Sequence, residues 1–151
     1  IYPDEALDAG AVVVGTGRSD LPNQVNNCFG FPGILKGVLL SGAGAISDGM
    51  AIAAAGAVAA EGRRSGLDPR RIMPDVDDPG VHASVASAVA VKAAEEGLTK
   101  AEADPDEIYR RAFEDITAVR SAHEALLEAG LLADFPREEI GDILRSVTAG
   151  G

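Results

Sequence analysis

Apolar positions are spaced differently in the two parts of this chain. Up to about residue 97 they are crowded and small, built from Ala, Gly and Val; beyond Thr99 they recur at helical spacing among charged residues. The run AVVV at 11–14 is bounded by Gly10 and Gly15. It does not alternate with polar residues, which is the pattern of a parallel strand buried on both faces. FPGILKGVLL, residues 31–40, has helical spacing, with Pro32 near the first turn, where a missing N–H costs least. Ser47 and Asp48 form the cap signal of a helix running to about Glu61, whose alanines would let it approach a neighbour closely. RIMPDVDDPG carries Pro74, Pro79 and Gly80 and reads as a connection with room for one short extended piece. Residues 81–96 read as an alanine-rich helix, apolar on most faces, ended by Gly97 in the C-cap role.

In the second part, Asp104-Pro105-Asp106-Glu107 is a compact helix start: an N-cap, a proline at the first helical position and a capping-box glutamate. Tyr109, Phe113, Ile116, Val119, His123 and Leu127 then follow near helical period up to Gly130, as the core-facing stripe of an amphipathic helix would. A last short helix is expected from Pro136 to Val147. The change in composition puts a subdomain boundary near residues 98–104.

Length and charge narrow the classes. The 151 residues are enough for one domain with a real core. The chain opens on Ile1 rather than methionine, so a piece of a longer or processed protein is expected, and no stretch has the layout of a secretory signal. MAIAAAGAVAA, the longest apolar-leaning run, falls short of the ~20 residues that span a bilayer. A soluble, cytoplasmic protein is expected. Acidic side chains number 24 against 13 basic, a formal net charge of -11. Such a surface repels phosphate backbones and anionic membranes, so neither nucleic acid nor membrane is expected as a partner. Only Lys36, Lys92 and Lys100 are lysines. Acid excess with scarce lysine points to a halophilic protein, the plain alternative being an acidic cytoplasmic one. Cys28 stands alone, which excludes an internal disulfide and a cysteine-based zinc site.

The candidate chemistry lies in GTGRSDLPNQVNNCFGFPG, residues 15–33. A strand running into a glycine-rich turn is where an open parallel sheet presents ligands. Gly15 and Gly17 would let the backbone approach a cofactor without a Cβ in the way. Asn26 and Asn27 bring amides that donate and accept at once, which suits a carboxamide or a hydroxy-acid. A polar loop that only caps the next helix would use similar residues, and local pattern leaves both readings open.

The whole string resembles the signature of the malic enzymes, in their bacterial and archaeal form, within the NAD-binding domain. The likeness extends to IYPDEALDAGAVVV before it and to RIMPDVDDPGVHASVASAVAVKAAEEG after it, about residues 1–97. The resemblance implies an α/β fold: the C-terminal portion of a Rossmann-like NAD(P)-binding domain, here mainly helical with one or two short parallel strands. Residues 1–97 would be the partial cofactor domain and 98–151 a helical extension. It also implies oxidative decarboxylation of L-malate to pyruvate and CO2, with NAD or NADP taking the hydride and Mg or Mn as Lewis acid. Asn27 would contact the malate carboxylate and the nicotinamide side of the site. Asn26 would support the loop and the cofactor edge, and Gly15, Thr16, Gly17, Arg18 and Ser19 would line the cofactor near the nicotinamide ribose. A homo-oligomer is expected.

Departures from the family matter equally. Its general acid tyrosine, general base lysine, acidic metal ligands and pyrophosphate glycine fingerprint belong to segments upstream of Ile1. Tyr2, Tyr109 and Lys36 sit in no matching motif, so no catalytic residue and no metal ligand is assigned here. The upstream catalytic half would be the chain's partner; alone the chain would be inactive. The rival readings are a stand-alone binding or interaction module and an inactive relic.

Other features have plainer readings. Gly42-Ala43-Gly44 is taken as a loop, Asp75, Asp77 and Asp78 as turn formers, and Arg63-Arg64 with Arg70-Arg71 as a solvated loop. His82 and His123 are read as helix-surface or core-edge residues, and Cys28 as a small packed hydrophobe.

Overall fold

The computed structural model describes residues 1–100, 102–133, 140 and 145. Five helices carry the fold among these: α1 (Pro3–Asp8), α2 (Phe31–Ser41), α3 (Asp48–Arg64), α4 (Pro79–Glu95) and α5 (Pro105–Glu128). The chain divides into two units, residues 1–117 and 118–151.

Helix boundaries follow local chemistry. The Ser47 hydroxyl accepts from the Met50 amide at 3.1 Å and donates to the Glu96 carboxylate, fixing the start of α3. The Asp78 carboxylate accepts from the Gly80 amide at 2.8 Å and starts α4. Asp104 Oδ1 accepts from the amides of Asp106 and Glu107 at 3.0 and 3.4 Å. Each such cap satisfies an amide that the helix leaves without an internal partner. The expected reach of Glu107 back to its cap is replaced by an ion pair with Arg110 at 2.7 Å. α2 ends at Gly42, with φ +66°, and Gly97 past α4 has φ +68°. α3 runs to Arg64, three residues beyond the expected Glu61.

The core of the first unit is laid along α4. Met50 of α3 and Val81, Val85 and Val89 of α4 are fully buried, with Phe29, Ala54, Val58 and Ala93 around them. α2 lies close against α4 because Gly33 and Gly37 offer no side chain. A Cβ on Gly33 would stand 2.5 Å from Val85 Cβ, and one on Gly37 2.5 Å from the Ala86 carbonyl oxygen. On its other side α2 exposes Phe31, Leu35 and Leu39.

α5 begins on the alanine face of α4. Ile108 and Ala112 pack against Ala83, Ala86 and Ala90, with Leu40 at the edge. At the start of α5 the packed face therefore lies one residue before Tyr109 and Phe113 of the expected stripe, while Ile116 and Leu127 of that stripe are half-buried. Tyr109 and Phe113 are 37% and 36% exposed and stack on each other, ring centroids 6.1 Å apart. The small floor of α4 admits the slim Ala112, and the two rings bury one another outside it. Lys36 of α2 forms an ion pair with Asp115, whose carboxyl it holds below the usual carboxylate range.

In the second unit α5 continues to Glu128 and Gly130 turns away at φ +68°. Val119, Leu126, Leu131 and Leu132 are exposed. The short helix expected over 136–147 lies outside the described residues, apart from 140 and 145.

The expected strand over residues 11–14 is not formed. Among the described residues there is no strand, only single bridges between Thr16 and Gln24 and between Asp68 and Arg71. Val12 is 78% exposed and Val13 43%. A strand needs a neighbour's backbone to complete its hydrogen bonds. No described segment supplies that ladder to residues 11–14.

Candidate functional site

Residues 14–29 form a doubled loop. Its two limbs are joined where the Thr16 amide donates to the Asn23 carbonyl at 3.2 Å and the Val25 amide donates to the Thr16 carbonyl at 2.7 Å. The approach is tight: a Cβ on Gly15 would lie 3.2 Å from Val25 Cγ2. A Cβ on Gly15 would press on Val25, whereas a Cβ on Gly17 would meet nothing within 4 Å.

At the tip Arg18 grips Asp20 through Nε at 2.9 Å and a second nitrogen at 2.6 Å. The hydrogen bond from Arg18 holds the Asp20 carboxyl below its ordinary value. Arg18 also lies 5.6 Å from the centre of the Tyr2 ring. Both partners of the ion pair are more than half exposed, so it shapes the tip more than it stabilises the fold. The Thr16 hydroxyl accepts from the Arg18 amide at 3.3 Å.

The returning limb ends in the asparagine pair, and the two residues have different tasks. Asn26 is half-buried in extended conformation, and its Oδ1 accepts from the Cys28 amide at 3.0 Å. This opens a 3-10 turn, Asn27–Phe29, closed by the Gly30 amide donating to the Asn27 carbonyl at 3.0 Å. Phe29 is buried and anchors the turn in the core. Asn27 is exposed, and its side-chain amide has no hydrogen-bond partner among the described residues. The turn leads directly into α2. Asn26 and Asn27 line one wall of a cavity of about 530 Å3; Ala54, Val58, Ile72 and Met73 contribute to the rest. That is a mostly apolar cleft with a few polar residues in its lining, the common composition of a small-molecule site.

The sequence-predicted residues thus fall in two places. Asn26 and Asn27 come together at the cavity. Gly15, Thr16, Gly17, Arg18 and Ser19 occupy the first limb and the tip, outside the cavity lining. Cys28 corrects an expectation: it is exposed, not packed, because the turn directs Phe29 inward in its place.

Sequence reasoning passed over Asn23. It is 7% exposed with φ +56°, the one non-glycine residue of positive φ among those described. Its Nδ2 donates to the carbonyls of Val14 at 3.0 Å and Pro69 at 2.7 Å, while Oδ1 accepts from the Ile72 amide at 3.0 Å. The only advance signal is an asparagine after proline inside a glycine-bounded loop.

The remaining candidates have structural work. Asp75 accepts from the Asp77 amide at 2.9 Å, a turn bond. Arg71 donates to the Ser65 carbonyl at 3.0 Å, and Arg64 pairs with the buried Glu61, which also accepts from the Ser84 hydroxyl at 2.6 Å. His82 is buried in α4 with Nε2 2.9 Å from the Val76 carbonyl oxygen. No described helix is long and apolar enough to cross a membrane.

The family model described as "Malic enzyme, NAD binding domain" matches residues 10–98, more than half of the chain. The chain belongs to the malic enzyme family. It is 45% identical over 111 residues to a bifunctional malic/malolactic enzyme of Bacillus subtilis, covering 74% of this chain and 27% of that protein. It is 40% identical to an NADP-dependent malic enzyme of Rhizobium meliloti, over 66% of this chain and 15% of that one. An NAD-dependent malic enzyme of Geobacillus stearothermophilus is 40% identical over 58% of this chain and 18% of its own length. Among solved structures, the malic enzyme of Entamoeba histolytica matches with a TM-score of 0.88 and 40% identity, covering 99% of this chain and 31% of that one. The chain therefore spans less than a third of the relatives it matches.

Proposed function

We propose that this chain supplies the substrate-facing loop of an NAD(P)-dependent malic enzyme, which converts L-malate to pyruvate and CO2. The observation that carries the reading is the division of labour in the asparagine pair. Asn26 caps the turn, and Asn27 is left with an unpartnered amide at the rim of the apolar cavity. There it would donate to a malate carboxylate and hold C2 in line for hydride transfer to the dinucleotide, a positioning role. The NAD- and NADP-dependent relatives support a nicotinamide cofactor, which supplies the redox chemistry when bound.

The divalent metal does not fit the residues present. The described residues hold no cluster of three or more His, Cys, Asp or Glu able to bind an ion. Its ligands, and the acid and base, belong in this reading to an upstream catalytic half. Val12, Val13, Phe31, Leu35 and Leu39, exposed here, are apolar surface that such a half would cover. Residues 1–97 are then the partial cofactor domain and 98–151 a helical extension, in a cytoplasmic homo-oligomer. The acid excess extends the proposal to a protein working at high salt; a melting temperature that falls in rising KCl would remove that part.

The test is malate-dependent reduction of NAD or NADP by this chain with and without the upstream half. Activity is expected only when the two are joined. An inactive joined protein overturns the reading in favour of a binding module or relic.

A further inference from the structure

We propose that Asn23 is the positioning residue of this site, acting on substrate through Asn27; this rests on the functional reading above. One buried side chain ties two stretches of chain together: it bonds Val14 at the root of its own loop and, 46 and 49 residues further on, Pro69 and Ile72. Both Nδ2 hydrogens and the carbonyl oxygen are engaged, so the group is fully satisfied. Aspartate would lack both donors and set a carboxylate oxygen against two carbonyls. Glutamine is one methylene too long for the same three contacts. Asparagine is also among the few non-glycine residues that adopt left-handed backbone readily.

The clamp joins two segments that line the cavity. On one side Asn23 leads through Gln24 and Val25, which are bonded to the first limb, into Asn26 and Asn27. On the other it holds the Ile72 amide, and Ile72 and Met73 line the same cavity. Releasing it frees the limb that carries Asn27 and the Ile72 segment in one step. Small displacements of a positioning group lower rate steeply, whereas a bond serving stability alone leaves the folded enzyme's rate unchanged.

The test uses Asn23→Gly, which keeps the positive φ and removes all three bonds. In the joined enzyme, assayed well below each variant's melting temperature, kcat/KM for malate is expected to fall about 10-fold. The double variant Asn23→Gly/Asn27→Ala is expected to lose no more than Asn27→Ala alone, because both changes remove one function. Unchanged kcat/KM in Asn23→Gly, or losses that multiply in the double variant, would overturn the proposal. A second readout is independent of turnover: in the 151-residue chain, hydrogen exchange at the Ile72 and Val25 amides is expected to quicken about 10-fold or more in Asn23→Gly. Unchanged exchange refutes the clamp. A joined wild-type enzyme that reduces neither cofactor with malate refutes the functional reading and the positioning role with it, while the exchange rates still decide whether Asn23 holds the loop to the Ile72 segment.

Discussion

The interface of α2 with α4 and the doubled loop at 14–29 are held by different forces. At the first, backbone meets backbone and side chain without a gap: Gly33 and Gly37 seat α2 on Val85 and Ala86, above a floor of fully buried Val81, Val85 and Val89. At the second there is little apolar burial. Single hydrogen bonds and one buried asparagine define the path, and the flanking valines are exposed. The helical part stands on close packing, while the loop stands on a few hydrogen bonds and, in the proposed function, would present groups to substrate. On that reading stability and recognition are separable by mutation.

The sharpest way to break the contrast is one substitution made in both regions. Gly37→Ala pushes a methyl to 2.5 Å from the Ala86 carbonyl oxygen and is expected to cost about 1–3 kcal/mol or more in urea unfolding. Gly17→Ala meets nothing within 4 Å and should stay within about 0.5 kcal/mol. Equal effects would dissolve the distinction. Next in size, Asn27→Ala in the joined enzyme should lower kcat/KM for malate about 10-fold with the melting temperature unchanged. A parallel loss of stability would put Asn27 with the packing residues.

Smaller still is the Lys36–Asp115 pair, exposed at its acidic end. Lys36 lowers the folded-state pKa of Asp115, so its contribution is present above the ordinary carboxylate range and is lost as pH falls through the lowered value. In Lys36→Gln the Asp115 titration followed by NMR should return toward the ordinary range; no movement would show that the pair is not formed in solution. Least in energy, Cys28 should react rapidly with a thiol reagent in the native chain, without a change in melting temperature. Slow labelling that speeds up only on unfolding would place it in the core.

How far the sequence disclosed this arrangement depended on whether the cause was local. Ser47 and Asp104 announce helix starts through bonds to residues two or three positions away, and those starts stand where expected. Asp78, read as a turn former, instead caps α4, which starts at Pro79, two residues ahead of the expected Val81. Residues 11–14 have strand composition, but forming a strand depends on a neighbouring backbone. On α5, periodicity marked a stripe, while the alanine floor of α4 chose Ile108 and Ala112 as the face that fits. The loop was recognisable as a whole string, yet its organiser was hidden. Asn23 bonds to residues 46 and 49 positions further on, a relation no local pattern carries.

The seating of Gly33 and Gly37 has a mechanical consequence. α2 begins two residues after the Asn27–Phe29 turn, and its first two turns are keyed to α4 with no compressible side chain between. The turn that carries Asn27 therefore leads into a helix seated on a rigid bearing a few residues away. In the proposed enzyme, Asn27 would hold its register with substrate so long as those two positions stay bare.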